Sequence, residues 1–283
     1  MSEHLGNKSR HSLAAGLLAG LICAGVVPGM AQQSPPPPDF SANNAGWISV
    51  GGEWTPLPGS PPPVAQDPAH RYVPNNVGRQ PTFRIADVDN PNLTQFAKDS
   101  LKKTNDEVLA GKPMWSRSAR CWATGVPAFL LTPAQPMFFV QTPQQVSMIA
   151  QHDSDVRRIY LNAPHSANPK PSWYGESVGH YEGDTLVIDT IGLNDKTFVD
   201  NFRTPHSEKL HVVERLRLVE DGKFLEAEVL IDDPAVFLKP LHVTKRSRRV
   251  EATLAEWRCA AGEMNNPFAM GADPLPIADK PDF

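Results

Sequence analysis

The stretch WYGESVGHYEGDTLVIDT, residues 173–190, brings several residue types that could do chemistry close together. Its GESVG segment has the G-x-S-x-G spacing of a serine-hydrolase elbow, in which Ser177 would be the nucleophile. His180, Glu182 and Asp184 alternate as metal ligands on one straight strand would. The third interpretation of the stretch is a β-hairpin, and the choice among the three decides which chemistry is available.

The surroundings of Ser177 disfavour the elbow. Such an elbow needs an apolar strand before the serine and a helix after it, whereas Pro169, Lys170 and Pro171 precede this serine and a strand pattern follows it. The chain order of Ser177, a later Asp and His206 fits a triad, but the span is too short for that fold. A Ser177 nucleophile is therefore a minor hypothesis.

Turn chemistry also disfavours the metal site. Glu182-Gly183-Asp184 combines a glycine, which adopts positive φ freely, with an aspartate, which bonds nearby backbone. A turn there separates the three alternating side chains. A metal would then need His165, His206 or His211 from elsewhere, and we predict neither a metal nor another cofactor.

In the hairpin, the loop length decides which residues share a face. A two-residue loop, Gly183-Asp184, places His180 opposite Val187 and Val178 opposite Asp189, so that His180 and Asp189 share a face. A three-residue loop separates them. A His180/Asp189 pair inside a barrel would be a general acid/base unit; an outward, solvated His180 is the favoured alternative.

A second anomaly lies in LHVVERLRLVE, residues 210–220. Glu214 interrupts the apolar row of one strand face, and a carboxylate there must be paired or protonated. In VRRIYL, residues 156–161, Arg158 lies between Val156 and Tyr160 on one face and is the expected counter-ion. Glu214 is then either a buried ion-pair partner or an acid/base residue in a cavity.

A polar segment without strand periodicity joins the hairpin to that strand. Loops of this kind at the end of a β-barrel often form small-molecule sites; the alternative is a turn that caps the next strand. We expect the substrate to contact Trp173, Tyr181, Asp195 and Asp200, with His206 as a further acid/base candidate; Thr197, Ser207 and Glu208 are the other polar residues of this segment.

The rest of the chain predicts an all-β protein, an antiparallel barrel or sandwich with one packed helix and an extended, proline-rich N-terminal arm. Asn90-Pro91 is typical of a helix start, and Gly111 of its end. Trp47 lies in a part of the arm that should pack a strand or loop onto the body. Strands are expected near 136–142, 146–151, 156–161, 177–182, 185–191, 210–219, 223–231, 240–246 and 252–258.

We assign residues 1–31 to a cleaved signal peptide, 32–89 to the arm and 90–283 to the helix and β domain. The protein is then periplasmic or secreted. The formal charge of −4 disfavours nucleic acid or an anionic membrane as a partner. Cys121 and Cys259 are expected to form a disulfide in that oxidising location; the alternative is a pair of free thiols, one acting as a nucleophile.

Four stretches resemble a large family of secreted bacterial proteins that is mostly uncharacterised. They are ARCWATGVP (119–127), SVGHYEGDTLVIDT (177–190), PHSEKLHVVERLRLV (205–219) and IDDPAVFLKP (231–240). The resemblance implies export, a β-rich body and the Cys121/Cys259 pair, and it brings no reaction. Tyr181 stands where the family usually has tryptophan, and Phe237 where it usually has tyrosine.

Together these features predict a cofactor-independent lyase, isomerase or hydrolase acting on a small hydrophobic or aromatic molecule. Glu214, His206 or His180 would remove a proton, and Arg158 or Tyr160 would stabilise the oxyanion. The alternative is a non-catalytic barrel that binds a small ligand. The sequence leaves the oligomeric state open.

Overall fold

The computed structural model describes residues 36–41, 46–49, 86–110, 122–131, 136–151, 155–200 and 202–254. The expected signal peptide, most of the arm and both Cys121 and Cys259 lie outside these ranges. The helices are α1 (Gln95–Leu109) and α2 (Ala128–Leu131); the strands are β1 (Gly46–Ser49), β2 (Met137–Gln141), β3 (Gln145–Ala150), β4 (Val156–Leu161), β5 (Glu176–Glu182), β6 (Thr185–Ile191), β7 (His211–Val219), β8 (Phe224–Asp232) and β9 (Leu241–Val250).

The nine strands close into a single barrel in chain order, with β1 paired to both β2 and β9. The predicted all-β fold is confirmed, as a barrel rather than a sandwich. Strands β4 and β5 are parallel, and the other neighbouring strands are antiparallel. The expectation of antiparallel neighbours throughout fails at this pair, because residues 162–175 return the chain to the end at which β4 began.

Eight of the nine predicted strands overlap β2 to β9, and the ninth, predicted near 252–258, is described only over its first three residues. Residues 252–254 carry no strand structure, and residues 255–258 lie outside the described ranges. The remaining strand is instead β1, in the part of the arm around Trp47 that was expected to pack onto the body. Trp47 pairs with Arg249 of β9 and Met137 of β2, so β1 closes the barrel.

The β5–β6 connection is the two-residue hairpin loop of the hairpin interpretation. Glu182 pairs with Thr185, and Gly183 has a φ of 61° while Asp184 does not have positive φ. Positive φ at the first loop residue alone is the arrangement of a type II′ turn. This register places His180 opposite Val187 and puts both on the outer face of the barrel.

Helix α1 begins five residues later than Asn90. Its cap is Thr94, whose hydroxyl accepts a hydrogen bond from the backbone N–H of Ala97 at 3.3 Å. The Asn90 side chain instead accepts from the N–H of Asn92 at 2.9 Å, in a turn before the helix. The backbone N–H of Thr94 donates to the Val236 carbonyl at 2.9 Å and joins the start of α1 to the segment after β8.

A buried ion pair lies inside the barrel, between strands that are not neighbours. The Arg157 guanidinium on β4 donates to Glu214 on β7, from Nη1 to Oε1 at 2.9 Å and from Nη2 to Oε2 at 2.5 Å, and both side chains are 0% exposed. Arg157 also donates to the hydroxyls of Ser177 and Thr190 on the two strands between them. These hydrogen bonds compensate the two charges that the barrel encloses.

The predicted counter-ion, Arg158, is therefore wrong by one residue. Arg157 and Ile159 point inward, while Arg158 and Tyr160 point outward, and the Tyr160 side chain is 48% exposed. Because VRRIYL carries apolar residues in both of its alternating rows, the hydrophobic pattern does not choose the inner row. The inner row of β7, with Glu214 among apolar residues, is confirmed.

The paired interior charges make a prediction for stability. Glu214→Gln leaves the Arg157 charge buried without its carboxylate, so we expect the free energy of unfolding to fall by about 3–5 kcal/mol in urea titrations. The double variant Arg157→Met/Glu214→Leu removes both charges and should recover most of that loss.

The control is Glu182→Gln, which removes an exposed ion pair with Arg215 and should leave the urea midpoint close to that of the wild type, because exposed ion pairs contribute little to stability. A double variant no more stable than Glu214→Gln would contradict the account of the interior.

Candidate functional site

The barrel wall divides the predicted site residues into three groups. Glu214 and Tyr181 belong to inward-facing rows, and the Tyr181 hydroxyl lies 3.0 Å from Nε2 of Gln141. Four residues share the outer face of the barrel: Arg158, Tyr160, His180 and Asp189. The remaining group lies in the segments before β5 and after β6, at residues 172–175 and 192–210: Trp173, Asp195, Asp200 and His206. The predicted catalytic set is thus not brought together in one cavity.

The His180 side chain points outward, which was the favoured alternative, and it is hydrogen-bonded to Glu182 rather than to Asp189. Its Nε2 lies 3.1 Å from Oε1 of Glu182, and the side chain is 52% exposed. Arg215 donates to the other oxygen of Glu182 at 2.7 Å. Hydrogen bonds from Arg215 and then His180 lower the pKa of Glu182 below its usual value. His180 and Asp189 share a face without forming the acid/base pair.

Asp189 instead binds two other histidines, His165 and His211. Nε2 of His165 lies 2.9 Å from Oδ1 of Asp189, and Nε2 of His211 lies 3.1 Å from each of the two carboxylate oxygens. All three side chains are partly exposed, between 22% and 41%. The carboxylate thus holds two imidazoles at a surface that solvent can reach.

The hydrogen-bonded chain continues beyond His165. Its Nδ1 lies 3.1 Å from Oε1 of Glu176, and Glu176 accepts hydrogen bonds from the Ser166 backbone N–H at 2.6 Å and hydroxyl at 2.8 Å. The Ser166 bonds, first from the hydroxyl and then from the backbone, lower the pKa of Glu176 below its usual value. Two carboxylates flanking one imidazole both receive a hydrogen bond only when each ring nitrogen carries a proton.

His211 ends the chain with one ring nitrogen unengaged. Its Nε2 faces Asp189, while Nδ1 has no hydrogen-bond partner among the described residues. A carboxylate that accepts from one nitrogen of a neutral imidazole leaves the other nitrogen as an unprotonated acceptor. That is the arrangement of a general base oriented by an aspartate.

A row of side chains crosses the outer face beside this chain. Strand pairing sets Tyr160 beside Val178, Val178 beside Asp189, and Asp189 beside Val213, which is followed by Leu230. Neighbouring strands lie about 4.8 Å apart, so Tyr160 and Asp189 are about 10 Å apart across Val178. The acid/base groups therefore stand on a largely apolar floor.

Asp200 and His206 form hydrogen bonds within the polar segment itself. Asp200 accepts hydrogen bonds from the Phe202 and Thr204 N–H groups at 2.8 and 3.1 Å, and from the Thr204 hydroxyl at 2.7 Å. Nε2 of His206 lies 2.7 Å from the Thr197 hydroxyl, and the residue is only 3% exposed. These contacts fit the interpretation of the segment as a turn that precedes β7.

Trp173 and Asp195 lie at the surface of the same end. Trp173 contacts Trp122, with ring centroids 5.3 Å apart, and Nζ of Lys196 lies 5.9 Å from the centroid of its ring. Asp195 is exposed. Within the described part of the molecule, no hydrogen bond joins either residue to the hydrogen-bonded group of His165, Asp189 and His211.

The two other motifs of the opening stretch have structural roles. Ser177 lies within β5, where its hydroxyl accepts from Arg157, so the strand-to-helix elbow is absent there. The Gly183-Asp184 turn ends the alternation that a metal site on one straight strand would use. Over the described residues, no group of three His, Cys, Asp or Glu side chains is arranged to hold a metal ion.

Comparisons with protein-family models, with curated proteins and with solved structures gave no match. No helix within the described ranges is both long and apolar enough to cross a membrane.

The sequence made Asp189 an acid/base candidate with His180 as its partner, and it did not predict the contacts with His165 and His211. The sequence pattern placed His211 on the outer row of its strand. It did not show that this strand pairs with β6, which brings His211 close to Asp189. His165 comes from the loop that crosses between β4 and β5, and hydrophobic periodicity carries no signal for where such a loop lies.

The buried His206 makes a prediction for pH dependence. Burial lowers the pKa of its imidazole below 6.5, so below that pH the unfolded chain takes up a proton more readily than the folded protein. The stabilising effect of the neutral ring is therefore complete above pH 6.5 and is lost as the pH falls through the lowered pKa.

We expect His206→Gln, which keeps an acceptor for Thr197 but does not titrate, to show a smaller fall in melting temperature between about pH 7.5 and about pH 5.5 than the wild type. His242→Gln, at an exposed position of β9, is the control. Equal falls in the wild type and His206→Gln would contradict the assignment.

Proposed function

We propose that the protein is an enzyme that uses general acid/base chemistry, without a cofactor, on a small hydrophobic or aromatic molecule. The observation that carries the proposal is the chain of His165, Asp189 and His211, in which one carboxylate holds two imidazoles at the surface. The proposed reaction removes a proton from a carbon beside a carbonyl group, as the first step of a lyase or isomerase.

His211 is the proposed base. Asp189 accepts from its Nε2 and orients the ring, and Nδ1 then takes the proton from the substrate. The imidazolium that forms is stabilised by the same carboxylate. This role replaces the one expected of Glu214, whose carboxylate is enclosed with Arg157 and cannot meet a substrate in this arrangement.

Two further groups lie beside the base, one that compensates the charge of Asp189 and one that can stabilise an oxyanion. In the form protonated on both nitrogens, His165 carries a positive charge next to Asp189 and compensates the carboxylate charge. The exposed Tyr160 hydroxyl, across Val178, is the proposed donor to the substrate oxygen. The distance of about 10 Å across the strands suits one aromatic ring with a short side chain.

The apolar floor supports the substrate class. Val178, Val213 and Leu230 are only partly buried. An aromatic or aliphatic substrate would cover them and exclude water from the base. The apolar N-terminal stretch and the family resemblance support the further proposal that the enzyme acts in the periplasm or outside the cell.

The test measures the abstraction of a proton directly, whichever product the complete reaction forms. The purified protein is incubated in deuterium oxide with phenylacetone, phenylpyruvate and 2-indanone, and proton NMR follows exchange at the carbon beside the carbonyl. We expect catalysed exchange with at least one compound, and His211→Asn should slow it roughly 100- to 10,000-fold.

The matched control is His180→Asn, which changes a histidine of the same outer face outside the chain and should leave the rate within about twofold of the wild type. Equal rates for His211→Asn and the wild type would contradict the proposal, as would an absence of exchange with all three compounds.

A further inference from the structure

Arg158 is an exposed arginine on the outer face of the barrel, beside the proposed oxyanion donor Tyr160. Other outward arginines are paired: Arg215 binds Glu182 at 2.7 Å. The guanidinium of Arg158 forms no hydrogen bond or ion pair with any side chain in the part of the chain that the structure describes. Its planar fork of donors is therefore available to a carboxylate from outside the protein.

The carboxylate nearest to Arg158 along the sheet is already bound by a loop. The parallel register of β4 and β5 makes Arg158 and Glu176 neighbours on the outer face. Glu176 accepts from the Ser166 backbone N–H at 2.6 Å and hydroxyl at 2.8 Å, and its Oε1 lies 3.1 Å from Nδ1 of His165. These bonds direct the carboxylate toward the crossing loop and away from Arg158.

Two more hydrogen-bond donors flank the guanidinium. Strand pairing sets Ser147 of β3 opposite Arg158, and the Cβ atoms of such a pair lie about 5 Å apart. The Ser147 hydroxyl accepts from Nε2 of Gln145 at 2.7 Å, so its own proton can be donated. Tyr160 follows Arg158 by two residues on the same face, which sets their Cα atoms about 7 Å apart. Three donors thus lie together on two neighbouring strands.

We propose that Arg158 and Ser147 bind a carboxylate group of the substrate, so that the substrate of the outer face is a 2-oxo acid. This inference rests on the reaction proposed above, in which Tyr160 donates to the substrate carbonyl oxygen. A carboxylate bonded directly to that carbonyl carbon lies next to Tyr160, where Arg158 and Ser147 supply donors. The hydrophobic part of the acid then covers the apolar floor that begins at Val178.

Arg158 therefore determines specificity and takes no part in the proton transfer. A hydrogen bond between a guanidinium and a carboxylate is roughly twice as strong as one between neutral groups. Loss of Arg158 should raise KM for a 2-oxo acid and leave kcat nearly unchanged. A neutral ketone, which has no carboxylate to bind, should be unaffected in both constants.

The experiment compares phenylpyruvate with phenylacetone, in which a methyl group replaces the carboxylate. Isothermal titration calorimetry with the full-length protein measures binding of each compound without requiring a reaction. The wild type should bind phenylpyruvate at least about tenfold more tightly than phenylacetone. Arg158→Gln should weaken phenylpyruvate binding at least about tenfold and change phenylacetone binding by less than about twofold.

Two further variants separate the guanidinium from a general effect of surface charge. Arg158→Lys restores the positive charge without the planar fork, so it should recover only part of the affinity for phenylpyruvate. Arg248→Gln removes an exposed arginine on the outer face of β9 and should bind both compounds as the wild type does.

The carboxylate site is overturned if neither compound binds, if phenylacetone binds as tightly as phenylpyruvate, or if Arg158→Gln fails to weaken phenylpyruvate binding selectively. An equal loss of affinity in Arg248→Gln would also overturn it. Binding of phenylpyruvate through Arg158 without catalysed proton exchange would support the site and contradict the proposed reaction. Catalysed exchange with the same KM in Arg158→Gln and the wild type would support the reaction and overturn the site.

Discussion

The enclosed ion pair of Arg157 and Glu214 constrains the rest of the barrel. A charge inside a closed sheet must be neutralised and hydrogen-bonded, and this pair recruits the hydroxyls of Ser177 and Thr190 to complete its contacts. These four residues come from four consecutive strands, β4 to β7. Because side chains alternate along a strand, fixing these four inward fixes the direction of every other side chain on those strands.

The outer chain of acid and base groups follows from that constraint. Glu176 and Asp189 directly precede Ser177 and Thr190, so they point outward, and His211 lies three residues before Glu214 on the same outer face. The barrel wall is a single sheet, and alternate side chains of each strand lie on its two faces. The interior ion pair thus positions the carboxylates that bind His165 and His211 on the opposite surface, without sharing a bond with them.

The sequence predicted the parts of the fold that a period of two or a turn determines. The hairpin of residues 176–191, the inward row of β7 and the outward His180 are confirmed, whereas the two-residue loop Gly183-Asp184 is one of two loop lengths that the sequence left open. The predicted orientation of β4 was wrong. Apolar residues occupy both of its alternating rows, so the hydrophobic pattern did not indicate which of its two arginines is buried. The position of His165 depends on a crossing loop, which only the three-dimensional closure of the barrel determines.

The account depends most directly on the orientation of the His211 ring. Nitrogen-15 NMR of the histidine side chains, assigned with His211→Asn and His165→Asn, reports which ring nitrogen of neutral His211 carries the proton. The account predicts a proton on Nε2, donated to Asp189, and an unprotonated Nδ1. A proton on Nδ1 would contradict it, because the proposed base would then have no free electron pair toward the substrate.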